Sequence, residues 1–233
     1  MGRIVELASD VHQLTVQRGV NVVVIRDHDG VTLVDTGLDR PGLTARLAHL
    51  GIAPSEVTRV LLTHAHPDHT GGFARLQRAG SDPDVDVGGD DAEVVQGRVA
   101  PPLPTHAGAR LLHRLPIAGA WGATPVIPQA RPLSDGQLLD IAGGIEVVAT
   151  PGHTVGHVAF HLTERDVVIG GDVVFNVFAL RPSPAFLCWQ QEPNLASVER
   201  LARRAPAALA LAHGQPVTDD VAGRLQQLVA DRA

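Results

Sequence analysis

The sequence predicts an α/β protein in which two mixed β-sheets pack together with helices outside them. Three observations carry that prediction. Short runs rich in Val, Ile and Leu, of strand length, alternate with segments whose apolar residues recur at helical spacing. Hairpins and strand–helix units occur in both halves, without a repeat at a fixed period. The 233 residues, 44% of them hydrophobic, suffice to bury a substantial core, so residues 1–233 read as one domain.

Taken in order, VHQLTV (Val11 to Val16) alternates loosely and reads as a strand. NVVVIRD (Asn21 to Asp27) is a nearly continuous β-branched run, and HDG turns tightly into VTLVD (Val31 to Asp35), which is the pattern of a hairpin. Leu43, Leu47 and Leu50 stand at helical spacing, with Gly51 as the stop. VTRVLLTH is a buried strand that runs into a histidine cluster, and GGFARLQRAG starts a helix just after it. VDVGGDDAEVVQGRV reads as strand, turn and short helix. Seven prolines between Pro101 and Gln137 argue against long regular elements there, so this segment is a linker between halves or a cover over a pocket. LLDIAGGIEVVAT, HVAFHLT and DVVIGGDVVF resume as β. NLASVERLARRA (Asn194 to Ala205) is a helix and ALALAHG a short strand. VTDDVAGRLQQLVADRA is a closing helix, with Asp219 and Asp220 placed for the positive end of its dipole.

Composition narrows the function. The net charge is -6, there is no Lys, and the Arg residues are scattered, so no basic stripe is available for a nucleic-acid backbone. Cys188 is the sole cysteine, which rules out an internal disulfide. MGRIVELASD lacks the apolar run of a secretory signal, and no stretch approaches the roughly 20 apolar residues of a membrane helix. A cytoplasmic protein with a small-molecule substrate, and with neither nucleic acid nor membrane as partner, is the expectation.

The chemistry lies in the histidines. THAHPDHTGG places His64, His66, Asp68 and His69 within six positions. Extended residues two apart point the same way, so His64 and His66 can aim at one ion, and Pro67 biases His66 toward an extended backbone. The chain then turns, and Asp68 and His69 can aim at a second point nearby. Three more candidates stand where an apolar strand meets Gly or Pro: His153 in TPGHTVGH, Asp172 in IGGDVVF and His213 in LALAHGQP. Alone, a His after a strand is usually a hydrogen-bonded loop residue. Together, five imidazoles and two carboxylates are enough for two divalent metal ions with a shared carboxylate, zinc first and iron or manganese as alternatives.

The motifs HAHPDH, PGHTVGH, GGDVVF and AHG, in this order and after VTLVDTG, resemble those of the metallo-β-lactamase superfamily of metal-dependent hydrolases. The resemblance covers essentially the whole chain. It implies an αββα sandwich with the metals at the edge where the sheets meet. It implies that His64, His66 and His153 bind one ion, that Asp68, His69 and His213 bind the second, and that Asp172 bridges them. It further implies that a hydroxide shared by the two cations attacks the substrate carbonyl, with Asp68 as the catalytic proton handler. Asp35 is a candidate for orienting a ligating histidine, or else caps the turn before the first helix. His157 reads as a structural or supporting residue and Cys188 as a packed thiol.

Departures from relatives limit the substrate. Glyoxalase II has an added C-terminal domain and basic and tyrosine contacts to glutathione, whereas this chain closes one helix after His213 and has neither Lys nor Tyr. Lactonases acting on acyl-homoserine lactones commonly place a tyrosine beside the metals, ribonuclease Z needs an RNA-gripping arm, and the β-lactamases generally lack the bridging aspartate. The expectation is a hydrolase of esters, thioesters or lactones with an apolar acyl group, its pocket lined by Phe175, Phe178, Phe186 and Trp189, with Trp121 reaching over. The alternatives are a mononuclear iron oxidoreductase resembling the persulfide dioxygenases and, further off, a β-lactamase.

Overall fold

The computed structural model describes residues 3–17, 19–106 and 124–230. Seven strands form the first sheet in chain order: β1 (Ile4–Ala8), β2 (Val11–Gln17), β3 (Val20–Asp27), β4 (Gly30–Val34), β5 (Val57–Leu62), β6 (Asp84–Gly88) and β7 (Arg131–Leu133). The first four run antiparallel to their neighbours, and β4 through β7 are parallel. The hairpin expected at HDG joins β3 to β4, pairing Asp27 with Gly30. The second sheet contains β8 (Leu138–Leu139), β9 (Ile145–Ala149), β10 (Val158–Leu162), β11 (Val167–Ile169) and β14 (Ala208–Ala210), in the order β14-β11-β10-β9-β8. Between β11 and β14 lies a small hairpin of β12 (Val174–Asn176) and β13 (Leu180–Pro182).

Alternation along the strands sorts the apolar residues into three layers. Val23 and Ile25 of β3 face the second sheet, where they share a core with Val147, Phe160, Ile169 and Ala210. Val22 and Val24, one position off, face the other way and pack with Leu43 and Leu47 of α1 (Leu43–His49), Phe73 and Leu76 of α3 (Phe73–Arg78), and Val94 and Val95 of α4 (Gly89–Val95). On the far side, Val148, Ala159, Val168 and Leu209 pack against Val198 and Leu201 of α5 (Gln191–Ala202) and Val221 and Leu225 of α6 (Val221–Ala230). The layers are therefore helix, sheet, sheet, helix. Phe160 is fully buried between the sheets, a burial that contributes about 1.5–3 kcal/mol.

β1, β7 and β13 are among the elements not foreseen. β1 is short and half-buried, with Ile4 and Leu7 touching different cores, so its alternation is hard to see in the sequence. β7 is an edge strand inside the proline-rich segment; Pro132 is tolerated because an edge needs fewer ladder bonds. α5 begins at Gln191, three residues before the expected Asn194, because Pro193 falls in its first turn, where the missing N–H has no helical partner to lose. Among the described residues, no helix is long and apolar enough to cross a membrane.

Candidate metal centre

Four loops meet at one edge of the sandwich, each following a strand. After β5 the chain bends through Thr63, His64 and Ala65, and His66, with an extended backbone, precedes the single turn α2 (Pro67–Thr70), which carries Asp68 and His69. Pro67 occupies the first position of that turn, where its lack of an N–H costs nothing. His153 follows β9, Asp172 follows β11 and His213 follows β14. All seven predicted side chains are brought together. His64 Nε2 and His153 Nε2 each lie 2.9 Å from His66 Nδ1. His213 Nε2 is 3.4 Å from Asp68 Oδ2 and 3.4 Å from Asp172 Oδ2. His69 Nε2 is 3.8 Å from Asp68 Oδ2 and 3.6 Å from Asp172 Oδ1. Asp172 also reaches the first trio, with Oδ2 3.3 Å from His153 Nε2.

The donor atoms suit divalent metal. Ligands at about 2.0–2.1 Å around a tetrahedral ion stand roughly 3.3 Å apart, close to the spacings seen here. The far side of most rings is held by a partner. His213 Nδ1 donates to the carbonyl of Gly19 (2.6 Å) and His69 Nδ1 to Asp35 Oδ2 (2.8 Å), which leaves Nε2 of each ring facing the centre. The Thr63 hydroxyl donates to Asp35, so its oxygen accepts from His64 Nδ1 at 3.0 Å. His153 Nδ1 pairs with the Ser183 hydroxyl at 3.0 Å. His69 Nε2 and Asp172 Oδ1 are buried without a hydrogen-bond partner, an arrangement that costs about 1–3 kcal/mol per group unless a cation satisfies them. Among the described residues the remaining close acidic grouping, Asp27 with His28 and Asp29, is largely exposed at a turn.

The electrostatics agree with that fit. Burial, then the neighbouring rings of His69, His66 and His153, pushes His64 well below the usual histidine range. Burial also lowers His153, against the pull of Asp172. For His69, burial works against protonation, but Asp35, Asp172 and Asp68 outweigh it and hold the ring well above the usual range. For His213, burial likewise resists the charged form, but Asp172 and Asp68 raise it to about 10. Burial opposes ionisation of Asp68, yet His69 and His213 bring its carboxyl down to about 2. The two carboxylates thus draw positive charge to this edge, whether a proton or a metal ion carries it.

Of three supporting residues, the sequence offered an orienting role for Asp35 among two alternatives and a supporting role for His157, and gave no role to Asp91. Asp35, a left-handed residue (φ 63), accepts from the Thr63 N–H at 2.9 Å as well as from His69, so the orienting role is the one the geometry shows. His157 Nε2 accepts from the Asp172 N–H at 3.0 Å, and its Nδ1 donates to the Thr150 hydroxyl at 2.8 Å. Burial lowers His157 to about 3, so the ring stays neutral and keeps this arrangement. Asp91 on α4 was missed entirely. It is buried and accepts from the Ala65 N–H (2.9 Å), the Thr154 hydroxyl (2.8 Å) and the Gly156 N–H (2.8 Å), clamping the His64–His66 loop to the His153 loop. The one available signal was its place in the GGDDAE turn after a strand, but Asp90 beside it is exposed and looks the same in sequence.

A cavity of about 660 Å³ opens onto the donors. His66, Asp68, His153, Asp172 and His213 line it on one side, and Phe175, Phe186, Leu103 and Trp189 are among its apolar walls. Phe175 is buried, its ring centroid 4.8 Å from that of His213. Phe178, expected in the pocket, is 93% exposed and does not line it. Trp121 lies outside the described residues, as does much of the proline-rich segment, although its described ends, Pro101 to Pro104 and Thr124, border the cavity. Cys188 is a packed thiol, buried and raised to about 11 by that burial.

Comparison with known proteins gives concordant results. Residues 15–213 match the family model described as the metallo-beta-lactamase superfamily. The uncharacterised protein YobT of Bacillus subtilis is 29% identical over 214 residues, covering 84% of this chain and 83% of its own length. A hydroxyacylglutathione hydrolase of Rhodospirillum rubrum is 27% identical over 72% of this chain and 52% of its own length. An atrochrysone carboxyl ACP thioesterase of Aspergillus fumigatus is 26% identical over 67% of this chain and 40% of its own. The chain therefore spans about half or less of the length of these last two relatives. Among solved structures, the protein TTHA1429 of Thermus thermophilus superimposes with a TM-score of 0.75 at 25% identity, covering 97% of this chain and 80% of that one.

Proposed function

The chain belongs to the metallo-beta-lactamase superfamily, and from that premise we propose that it is a metal-dependent hydrolase of an ester, thioester or lactone with an apolar acyl group. The carrying observation is the convergence of seven donor side chains from four loops, with the outer nitrogens of His69 and His213 tied to acceptors so that the inner ones face the centre. We assign His64, His66 and His153 to one ion, Asp68, His69 and His213 to a second, and Asp172 to both. Zinc suits this mixture of imidazole and carboxylate, and iron or manganese would also be held by it. Bound there, divalent metal supplies a Lewis acid that makes water nucleophilic at neutral pH and polarises a carbonyl.

The remaining work falls to the chain. Asp68 is ionised and lines the cavity, so it can accept the proton that the attacking water gives up. Asp35, His157 and Asp91 hold the donors in place. The apolar walls exclude water and favour an apolar acyl group over a strongly hydrated one. A hydrolase and a thioesterase among the relatives support this reaction class.

The test is metal analysis of protein purified without added metal, followed by a screen of esters, thioesters, lactones and β-lactams on zinc-loaded protein. Two zincs per chain and turnover of one of the first three classes are expected. Asp68→Ala should lower that turnover by roughly 10²–10⁴-fold with the fold intact. One iron per chain, with oxygen consumed on a persulfide and no ester turnover, would replace this reading with the oxidoreductase alternative.

A further inference from the structure

The cavity wall continues onto the surface as an apolar strip. Leu103, Val177, Phe186 and Leu187 line the cavity and are nevertheless 59%, 47%, 48% and 37% exposed. Of the eight large exposed hydrophobic residues among those described, these four line the cavity, whereas Val99, Val126, Leu138 and Phe178 do not. Exposed apolar surface gathered at one mouth marks a place where something apolar binds, whereas scattered exposed residues need no such account.

The strip is also built in advance. Pro101, Pro102 and Pro104 fix backbone angles along one wall. The Thr105 N–H and hydroxyl both donate to the Trp189 carbonyl, at 3.0 and 2.9 Å, which joins that wall to the opposite one. The Trp189 N–H in turn donates to the His153 carbonyl at 2.8 Å, so both walls are tied to a donor-bearing loop. Along these walls Pro104 is buried and Trp189 half-buried, whereas Leu103 and Phe186 are exposed.

We infer that this strip is the acyl-chain site of the reaction proposed above, and that the substrate carries an extended apolar acyl chain running from the metal centre out between Leu103 and Phe186. The inference rests on the proposed hydrolase activity for its reaction, but not for its binding. An acetyl-sized group would fill only the part beside the donors and leave the strip wet. A protein partner seated on the rim would leave the inner wall from Trp189 to His153 unfilled. A chain covers both, and because the walls are already fixed, little ordering cost offsets the contact it gains.

The experiment is a homologous series of neutral linear thioesters, acetyl to dodecanoyl, assayed for kcat/KM on zinc-loaded protein. In parallel, calorimetry on the same protein measures binding of 2-alkanones of matching length. Each added methylene should raise kcat/KM and ketone affinity by up to about fourfold while the chain lies on the strip, with a plateau once it passes the rim. Leu103→Asp and Phe186→Asp should each cut the decanoyl-to-acetyl ratio of kcat/KM by at least tenfold. Turnover with no dependence on chain length, or ketone binding that ignores length, overturns the acyl-chain site and leaves the hydrolase standing. Length-dependent ketone binding with no turnover of any thioester, ester or lactone supports the site and overturns the hydrolase.

Discussion

At the scale of single residues, two buried carboxylates that touch no cavity-facing nitrogen govern the centre. Asp35 orients His69 through its ring and His64 through Thr63. Asp91 holds the backbone of two loops at once. Asp91→Ala leaves the Ala65 and Gly156 N–H groups without their acceptor and lets the His153 loop drift from His66. Metal affinity measured by competition with a chromophoric chelator should fall by about 10–100-fold, the usual size of such supporting effects, while circular dichroism is unchanged. A second prediction belongs to His157. Its folded-state pKa of about 3 lies below the ordinary value of 6.5, so the unfolded chain binds the extra proton. Its neutral form therefore favours folding fully above pH 6.5, and that advantage is lost as pH falls from 6.5 toward 3. The urea midpoint should drop between pH 7 and pH 5, and His157→Gln, though weaker at pH 7, should show a shallower drop. The seven donor residues were legible because four of them crowd into one short motif and the others sit at marked strand ends. Asp91 was not, because two of its three partners are backbone groups of loops 26 and 65 residues away, and backbone groups leave no mark in a sequence.

At the scale of elements, alternation made most strands readable, and the same physics explains the misses. β3 and β10 carry apolar residues on both faces, since each is covered twice, so their runs are unmistakable. β1 is covered weakly and β7 contains proline, so neither stands out. The turns between elements are set by close approach as much as by residue preference. Gly152, just before His153, has φ 131, and a Cβ placed there would lie 2.1 Å from the backbone nitrogen of Asn194 on α5. Neither backbone can yield without moving the donor loop or the helix. Gly152→Ala should therefore destabilise by about 2 kcal/mol or more, because it combines a forbidden φ with a clash. For a chain of this length that lowers the thermal midpoint by roughly 4–8 °C. A midpoint within a degree of the parent would show that the turn relaxes freely, and that Gly152 is not what fixes His153.

At the scale of the whole molecule, the centre is shared between the sheets. His64, His66, Asp68 and His69 follow β5 of the first sheet, while His153, Asp172 and His213 follow strands of the second. The sheets are already joined beside it by buried amides. Asn21 donates to the carbonyls of Leu211 and Gly214, and Gln13 accepts from the Leu211 N–H and donates to the Gly214 carbonyl. The apolar layer between the sheets holds them face to face, but it is not directional, and it cannot by itself bring donor atoms of the two sheets to within 4 Å of one another. Ions bound to donors of both sheets would act as a clasp across that edge. Anything that binds the folded form alone stabilises it, by about 4.1 kcal/mol when free ligand is a thousand times its dissociation constant. Removing metal with a chelator should therefore lower the thermal midpoint by several degrees, and readdition of zinc should restore it. Asp172→Asn, which weakens a side chain within reach of both donor sets, should shrink the gap between the metal-loaded and metal-free midpoints. Equal midpoints with and without chelator, in protein whose metal content has been shown to change, would mean that the ions do not join the sheets and that the apolar layer and the amides alone hold this edge closed.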